Sequence, residues 1–296
     1  MDINFELYKI FYLTAKNQSF SEAANFLFIT QSAVSQAIKN LETKLGVQLF
    51  FRKTRHFKLT PEGELLFTHI EQAYNFIKIA EQKVSETQNL DYGEIRIGAS
   101  DTVCKYHLLP YLKQFNLLYP KIKIQFINRT SGQILEILKK GSLDFGVVTL
   151  PVSTKNFTVR EFVNVEDIWV AAPKYNFLRD ELISITELIK SPLLLLEKSS
   201  ATRRNLDLFF QEQGVKVIPE IELESVDLLV EFARIGLGIA HVLRESAIES
   251  MARGELFEIK PKEQIPKRKL GIASIDNLPL SQAAERFLEL IIHKKG

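Results

Sequence analysis

A single cysteine, Cys104, in 296 residues removes two kinds of chemistry at once. No intramolecular disulfide can form, and no thiolate-rich metal site can be assembled. The chain also lacks any run of about 18 apolar residues, so an ordinary transmembrane helix is not expected. Its opening, Met1-Asp2-Ile3-Asn4, has no basic segment leading into an apolar one, which argues against a secretory signal. A cytoplasmic protein that does not engage membranes is the expectation. The histidines are few and scattered: His56, His69, His107, His241 and His293 form no HExxH pair. There is no G-x-S-x-G nucleophile elbow either. Gly236-Leu237-Gly238 lacks the third glycine of a dinucleotide fingerprint and lies late in the chain. Neither an enzyme nor a metal or cofactor site is expected.

Net charge is also low, +2, which excludes a polycationic nucleic-acid coat. Its distribution is uneven. Residues 1–60 carry eight Lys/Arg against four acids, leaving the rest of the chain slightly acidic. Positive charge of this kind belongs where phosphates are met. A hydrophobic content of 46% suits packed cores in more than one domain.

The first sixty residues contain two short helix signals in tandem. Ser19 followed three residues later by Glu22 is a capping-box pattern that predicts a helix to about Leu27. Thr30 is a second N-cap, and behind it Val34, Ile38, Leu41 and Leu45 make one apolar helix face. The other face carries Gln31, Ser32, Ser35, Gln36 and Lys39, side chains suited to base edges and phosphates in a major groove. Gly46 ends this helix. Two predicted strands, 49–52 and 57–60, form a wing with Arg52, Lys53, Arg55, His56 and Lys58 at its tip and flanks. A solvated helix face and a soluble basic turn are the plainer readings of each piece alone. Their combination points to DNA.

Thr60-Pro61 starts another helix, with proline at the first helical position and none until about Gln88. Leu66, Ile70, Ala73, Ile77, Ala80 and Val84 alternate spacings of four and three, the period of a coiled-coil seam. A dimerisation helix is expected, because a two-fold dimer reads a palindrome where a lone helix-turn-helix reads one half-site. A long helix packed on its own domain is the alternative. From Glu94 onward strands and helices alternate, the pattern of an α/β fold with parallel strands.

Across these segments the chain resembles LysR-type transcriptional regulators. The N-terminal match runs through Ala23-Ala24, Gln31-Ser32-Ala33-Val34-Ser35, Ile38, Leu41-Glu42, Leu45-Gly46, Leu49-Phe50, Arg52, Leu59-Thr60 and Gly63. Ser32 stands where family members often have proline, and Phe51 where many carry a polar residue or arginine. The C-terminal match runs through 94–98, Leu108-Leu109-Pro110, Phe115, Tyr119-Pro120, Leu138, 141–144, Ser199, Thr202-Arg203 and 236–238.

The resemblance implies an N-terminal all-α winged helix-turn-helix (1–60), a linker helix (61–89) and an α/β effector domain (93–296). That domain would have two lobes similar to type 2 periplasmic binding proteins, about 93–164 with 268–296, and about 165–267. It further implies a bacterial homotetramer on an interrupted palindrome in promoter DNA, with RNA polymerase as a further partner. Ser21, Gln31, Ser32, Ser35, Gln36, Lys39, Arg52, Lys53 and Arg55 are the expected DNA-binding residues. A small anionic or zwitterionic effector would lie between the lobes, with Ser100, Asp101, Thr102, Thr149, Ser199, Thr202 and His241 as its contacts. Helix starts at Ser100 and Ser199 favour an anion through their free N–H groups, although Ser and Thr there also serve as plain N-caps. Asp101 would either weaken anion binding or hold an ammonium group. His241 is as readily structural, and Cys104 is either a redox-sensitive or a buried thiol.

Overall fold

The computed structural model describes residues 3–51, 57–86, 93–179, 181–276, 278 and 280–293. The chain divides into two compact units, one covering Met1–Asn89 and the other most of Leu90–Gly296.

The first unit starts with α1 (Phe5–Lys16), a helix that the sequence reading did not anticipate, followed by α2 (Phe20–Leu27) and α3 (Gln31–Leu45). Ser19 Oγ accepts the Glu22 N–H at 3.2 Å, and Thr30 Oγ1 accepts the Ala33 N–H at 3.2 Å. Both side chains therefore satisfy backbone donors that a helix start leaves free. α3 ends at Gly46, whose φ of 73° is a left-handed conformation that glycine adopts without strain. Val34, Ile38 and Leu41 turn inward onto Phe11, Tyr12, Leu49 and Phe50 to make the core. Glu42 is buried too, and its carboxylate accepts the Leu49 N–H at 2.8 Å, which pins the root of the wing to α3.

The wing is slighter than two full strands. A single antiparallel bridge joins Phe50 and Leu59, flanked by Phe51 N–H to Lys58 O at 3.0 Å and Thr60 N–H to Leu49 O at 3.0 Å. Its expected tip, Arg52, Lys53, Arg55 and His56, lies outside the described residues. α4 (Pro61–Glu86) then departs from Thr60, whose hydroxyl accepts the Gly63 N–H at 3.0 Å. Its first half packs on α1, with Tyr12 between Phe67 and Tyr74 at ring-centroid distances of 5.8 and 4.6 Å.

The second unit holds two sheets. β1 (Gly93–Ala99) leads into α5 (Asp101–Val103), a π-helical turn at Cys104–Leu108, and α6 (Leu109–Leu118). The π-turn interrupts the α-helical hydrogen-bond register between Asp101 and Leu118. Next come β2 (Ile122–Asn128), α7 (Ser131–Lys139), β3 (Phe145–Leu150), β4 (Phe157–Val165) and β5 (Asp167–Ala171). After β6 (Leu182–Ile183), α8 (Ile185–Leu188), β7 (Leu193–Leu196), α9 (Ala201–Glu212) and β8 (Ile221–Leu223) the chain forms α10 (Val226–Arg234) and β9 (Ile239–Leu243). It closes with α11 (Arg244–Ala252), β10 (Phe257–Pro261), β11 (Arg268–Ile275) and α12 (Gln282–His293).

One sheet has the order β2-β1-β3-β11-β4 and the other β6-β10-β5-β9-β7-β8. β1 pairs in parallel with β2 and β3, while β11 runs antiparallel between β3 and β4. Each sheet is covered on both faces: the first by cores around Ile95, Phe145 and Phe287 and around Ile134, Leu138 and Val148, the second by cores around Trp169, Leu195 and Phe210 and around Val170, Leu194 and Leu229. Burying each such side chain contributes roughly 1.5–3 kcal/mol. The chain passes from the first sheet to the second between Val165 and Asp167 and returns between Pro261 and Arg268. Two crossovers side by side leave a first lobe on the five-stranded sheet, a second on the six-stranded one, and a cleft between them.

Candidate functional site

The DNA-facing candidates and the cleft belong to different units. On α3, Gln31, Ser32, Gln36 and Lys39 are exposed and Ser35 is half-buried, on the opposite side from Val34, Ile38 and Leu41. Ser21 at the start of α2 donates its hydroxyl to Gln31 Oε1 at 3.1 Å, and the Thr30 and Ser32 hydroxyls are 2.9 Å apart. These contacts gather Ser21, Gln31 and Ser32 at the N-terminal end of α3. Lys58 on the wing lies with its ammonium 6.0 Å from the centre of the Phe51 ring. Sequence reasoning treated α4 as one seam, and the structure divides it. Leu66 and Ile70 pack against this chain's own helix-turn-helix core, whereas Ile77, Ala80 and Val84 are exposed and Ala73 is half-buried.

In the second unit the cleft encloses a cavity of about 90 Å³. Ser100, Asp101, Thr102, Thr149, Ser199 and Thr202 all line it, together with Arg129, Thr130 and Ser131 at the end of β2. Their arrangement follows from topology. β1, β2 and β3 end on one side of the first sheet, and β7 ends opposite them. Several hydroxyls have structural work as well: Ser100 Oγ caps the Val103 N–H at 3.3 Å, and Ser200 Oγ caps the Arg203 N–H at 3.2 Å. Ser199 donates to Glu197, and Asp101 Oδ1 accepts the Thr102 N–H at 2.8 Å.

His241 is the exception among the expected contacts. It sits within β9, 2% exposed, with its ring 4.7 Å from that of Trp169 across the β5–β9 pair, and it does not line the cleft. The alternation of strand residues places it on the face packed under α9, because its neighbours Ala240 and Val242 take the other face. It is a core histidine.

Arg268 and His107 line the cleft without having been singled out from sequence. Arg268 opens β11 and donates twice to Asp167, through Nη2 at 2.6 Å to Oδ1 and through Nε to Oδ2. Its remaining Nη1 reaches Thr149 Oγ1 at 3.4 Å. Burial alone would raise the Asp167 pKa, but the Arg268 guanidinium outweighs it and holds the carboxyl below its ordinary value. Such a planar bidentate pair is well suited to a buried setting.

The His107 side chain is only 10% exposed, and its Nε2 has no hydrogen-bond partner among the described residues. Glu245 Oε1, at 4.0 Å, is too far to be one. Burial pushes the His107 pKa below 6.5 against the pull of Glu245, with Arg268 reinforcing the fall. No local pattern in sequence marks either residue, because their partners lie over a hundred positions away.

Cys104 is half-buried, and both burial and the Asp101 carboxylate push its thiol pKa up. That is the opposite of the activated thiolate a redox sensor requires. Among the described residues no cluster of His, Cys, Asp and Glu could hold a metal ion, and no helix is long and apolar enough to cross a membrane.

Comparisons with known proteins agree with this geometry. Residues 5–64 match the family model described as a bacterial regulatory helix-turn-helix protein of the lysR family, and residues 88–295 match the LysR substrate binding domain. A "Probable RuBisCO transcriptional regulator" of Cyanidium caldarium is 29% identical over 93% of this chain and 88% of its own length. The transcriptional activator CmpR of Synechocystis is 29% identical over 79% and 76%, and the regulator CysL of Bacillus subtilis 25% over 97% and 96%. Among solved structures, a full-length OxyR variant from Pseudomonas aeruginosa superposes with a TM-score of 0.74 at 20% identity, covering 98% of this chain and 95% of that one. CbnR bound to its target DNA gives a TM-score of 0.67 at 15% identity, covering 98% and 99%. The helix-turn-helix unit, the two-sheet effector unit and both family models lead to one conclusion: the chain is a transcriptional regulator of the LysR family.

Proposed function

We propose that the chain works without catalysis, cofactor or metal, as a cytoplasmic homotetramer that reads an interrupted palindrome in promoter DNA under the control of a small effector. Gln31, Ser32, Ser35, Gln36 and Lys39, with Ser21 behind Gln31, take the base edges and nearby phosphates of the major groove, while Arg52, Lys53 and Arg55 hold phosphates from the wing. The exposed Ile77, Ala80 and Val84 of α4, with Ala73, supply the dimer contact. RNA polymerase is the further partner at the promoter. The DNA-bound state of CbnR, whose fold this chain shares, supports the DNA-binding part of this reading.

The observation that carries the effector part is the cleft lining. Hydroxyls from both lobes, the helix start after Ser100 and the buried Arg268 converge on one cavity. Donors of this kind recognise carboxylates and oxyanions. The carboxylates of Asp101, Glu197 and Glu224 share the cavity wall, so a zwitterion fits as well as a simple anion. An effector that prefers one lobe arrangement shifts the population toward it and so changes how the DNA-binding units are presented.

A thermal-shift screen of the full chain against organic acids, amino acids and inorganic oxyanions tests the reading. The expected result is a saturable rise in Tm for at least one compound, lost in Thr102→Ala and in Thr202→Ala. A rise that survives both substitutions would place the effector elsewhere.

A further inference from the structure

The only π-helical turn among the described residues, Cys104–Leu108, lies on the cleft rim, and its three central side chains all reach for the second lobe. Lys105 Nζ lies 2.8 Å from Asp227 Oδ2, and the Tyr106 hydroxyl donates to Asp227 Oδ1 at 2.8 Å. His107 Nε2 points toward Glu245 Oε1, 4.0 Å away. Asp227 stands at the beginning of α10, next to Val226, which lines the cleft, just as Val103 and His107 line it on the other side. One carboxylate on the second lobe thus takes a cation and a hydroxyl from the first, across more than 120 residues of sequence. π-turns gather at functional positions because they re-aim consecutive side chains at little cost in backbone pairing.

We propose that this turn is a clasp that holds the cleft shut, with Lys105 and Tyr106 of the first lobe gripping Asp227 of the second. The two crossovers at 165–167 and 261–268 are the hinge, and the clasp closes the opposite rim. Lys105 and Asp227 are each about half exposed, 50% and 52%, so the pair is weak enough to open. Asp227 lies in the first turn of α10, where a helix N-terminus favours an acidic side chain. Lys105 has its pKa raised by the hydrogen bond to Asp227 in the closed form. The clasp itself stands on geometry alone; its bearing on effector entry rests on the cleft being the effector site proposed above.

Hydrogen exchange on the full-length protein without ligand tests the clasp separately from that reading. Amides at 100–108 and 225–230 report rim opening, and those of β3 report the integrity of the first lobe. Lys105→Met is expected to speed exchange at 225–230, on the other lobe, about threefold, and Asp227→Asn to speed it at both rims by about tenfold. Lys105→Met is the informative variant, since a residue that merely capped its own helix would leave α10 untouched. Exchanging the charges, Lys105→Asp with Asp227→Lys, is expected to restore much of the protection. Unchanged exchange at 225–230 in Lys105→Met would overturn the clasp. So would a charge exchange that opens as fast as the single variants, or acceleration spread equally into β3.

Discussion

His241 and Trp169 face each other in the second lobe, and neither His241 Nε2 nor Trp169 Nε1 has a hydrogen-bond partner among the described residues. Burial drives the His241 pKa from 6.5 to about 4, with Asp167 opposing the fall and Arg268 reinforcing it. The folded value lies below the unfolded one, so the unfolded chain takes up the proton first as pH falls. The resulting stability is complete above about pH 6.5 and drains away between there and about pH 4, roughly 3 kcal/mol in all. Urea midpoints measured from pH 7 to 4 should show this loss, and His241→Leu should flatten it. Asp167 acts in a lower window: its depressed pKa contributes stability above 3.8 that is lost only in more acid solution.

Single side chains also divide the DNA surface. Gln31→Ala is expected to relax base preference at particular positions, whereas Arg52→Ala should weaken binding to every sequence and flatten its salt dependence by about one unit of slope. Footprinting on point-mutated operators at several salt concentrations separates the two; identical profiles would remove the distinction between base reader and phosphate anchor.

At the scale of elements, local chemistry was largely readable. The Ser19 and Thr30 caps and the Gly46 stop bound α2 and α3 as the sequence indicated, because each acts within a few residues of itself. Other elements escaped, among them α1, the π-turn, β4 and β11. α1 has an Asn4 cap, but its buried run Phe11 to Ala15 is continuous rather than periodic, so no clear amphipathic signal announces it. The π-turn differs from an α-helix by one residue of register and has no composition of its own. β4 and β11 interleave charged residues with apolar ones, and their role as crossover strands follows only from pairing with each other.

The junction of wing and α4 shows how tightly elements can meet. A Cβ on Gly63 would run into the Leu49 carbonyl, the acceptor of the Thr60 N–H. Gly63→Ala is therefore expected to cost about 2–3 kcal/mol. The loss should appear in the unfolding of the helix-turn-helix unit, followed by denaturant titration, and not in that of the effector unit.

For the whole molecule, the question is what α4 buries beyond its own core. Ile77 is 40% exposed and Val84 67%, large apolar side chains at heptad-like spacing on a 26-residue helix. A second copy covering them would remove that surface from water. Ile77→Asp with Val84→Asp is expected to shift sedimentation at micromolar concentration toward monomer and to weaken DNA binding by the loss of the paired half-site. Sedimentation identical to the parent chain would place the dimer contact elsewhere.

The sequence by itself determined the helix-turn-helix, the alternation of strands and helices from Glu94 onward, and which hydroxyls stand at strand ends and helix starts. All of these rest on patterns spanning a few residues: a cap and its amide, an apolar period, a strand running into a helix start. Only the tertiary structure decided that His241 belongs to the core and that Arg268 and His107 belong to the cleft. It also decided that Leu66 and Ile70 are spent on the chain's own core, and that Lys105 and Tyr106 meet Asp227. Those outcomes depend on which helix and strand faces come together and on contacts between residues far apart in the chain. Long-range closure of that kind leaves no periodic trace in the chain.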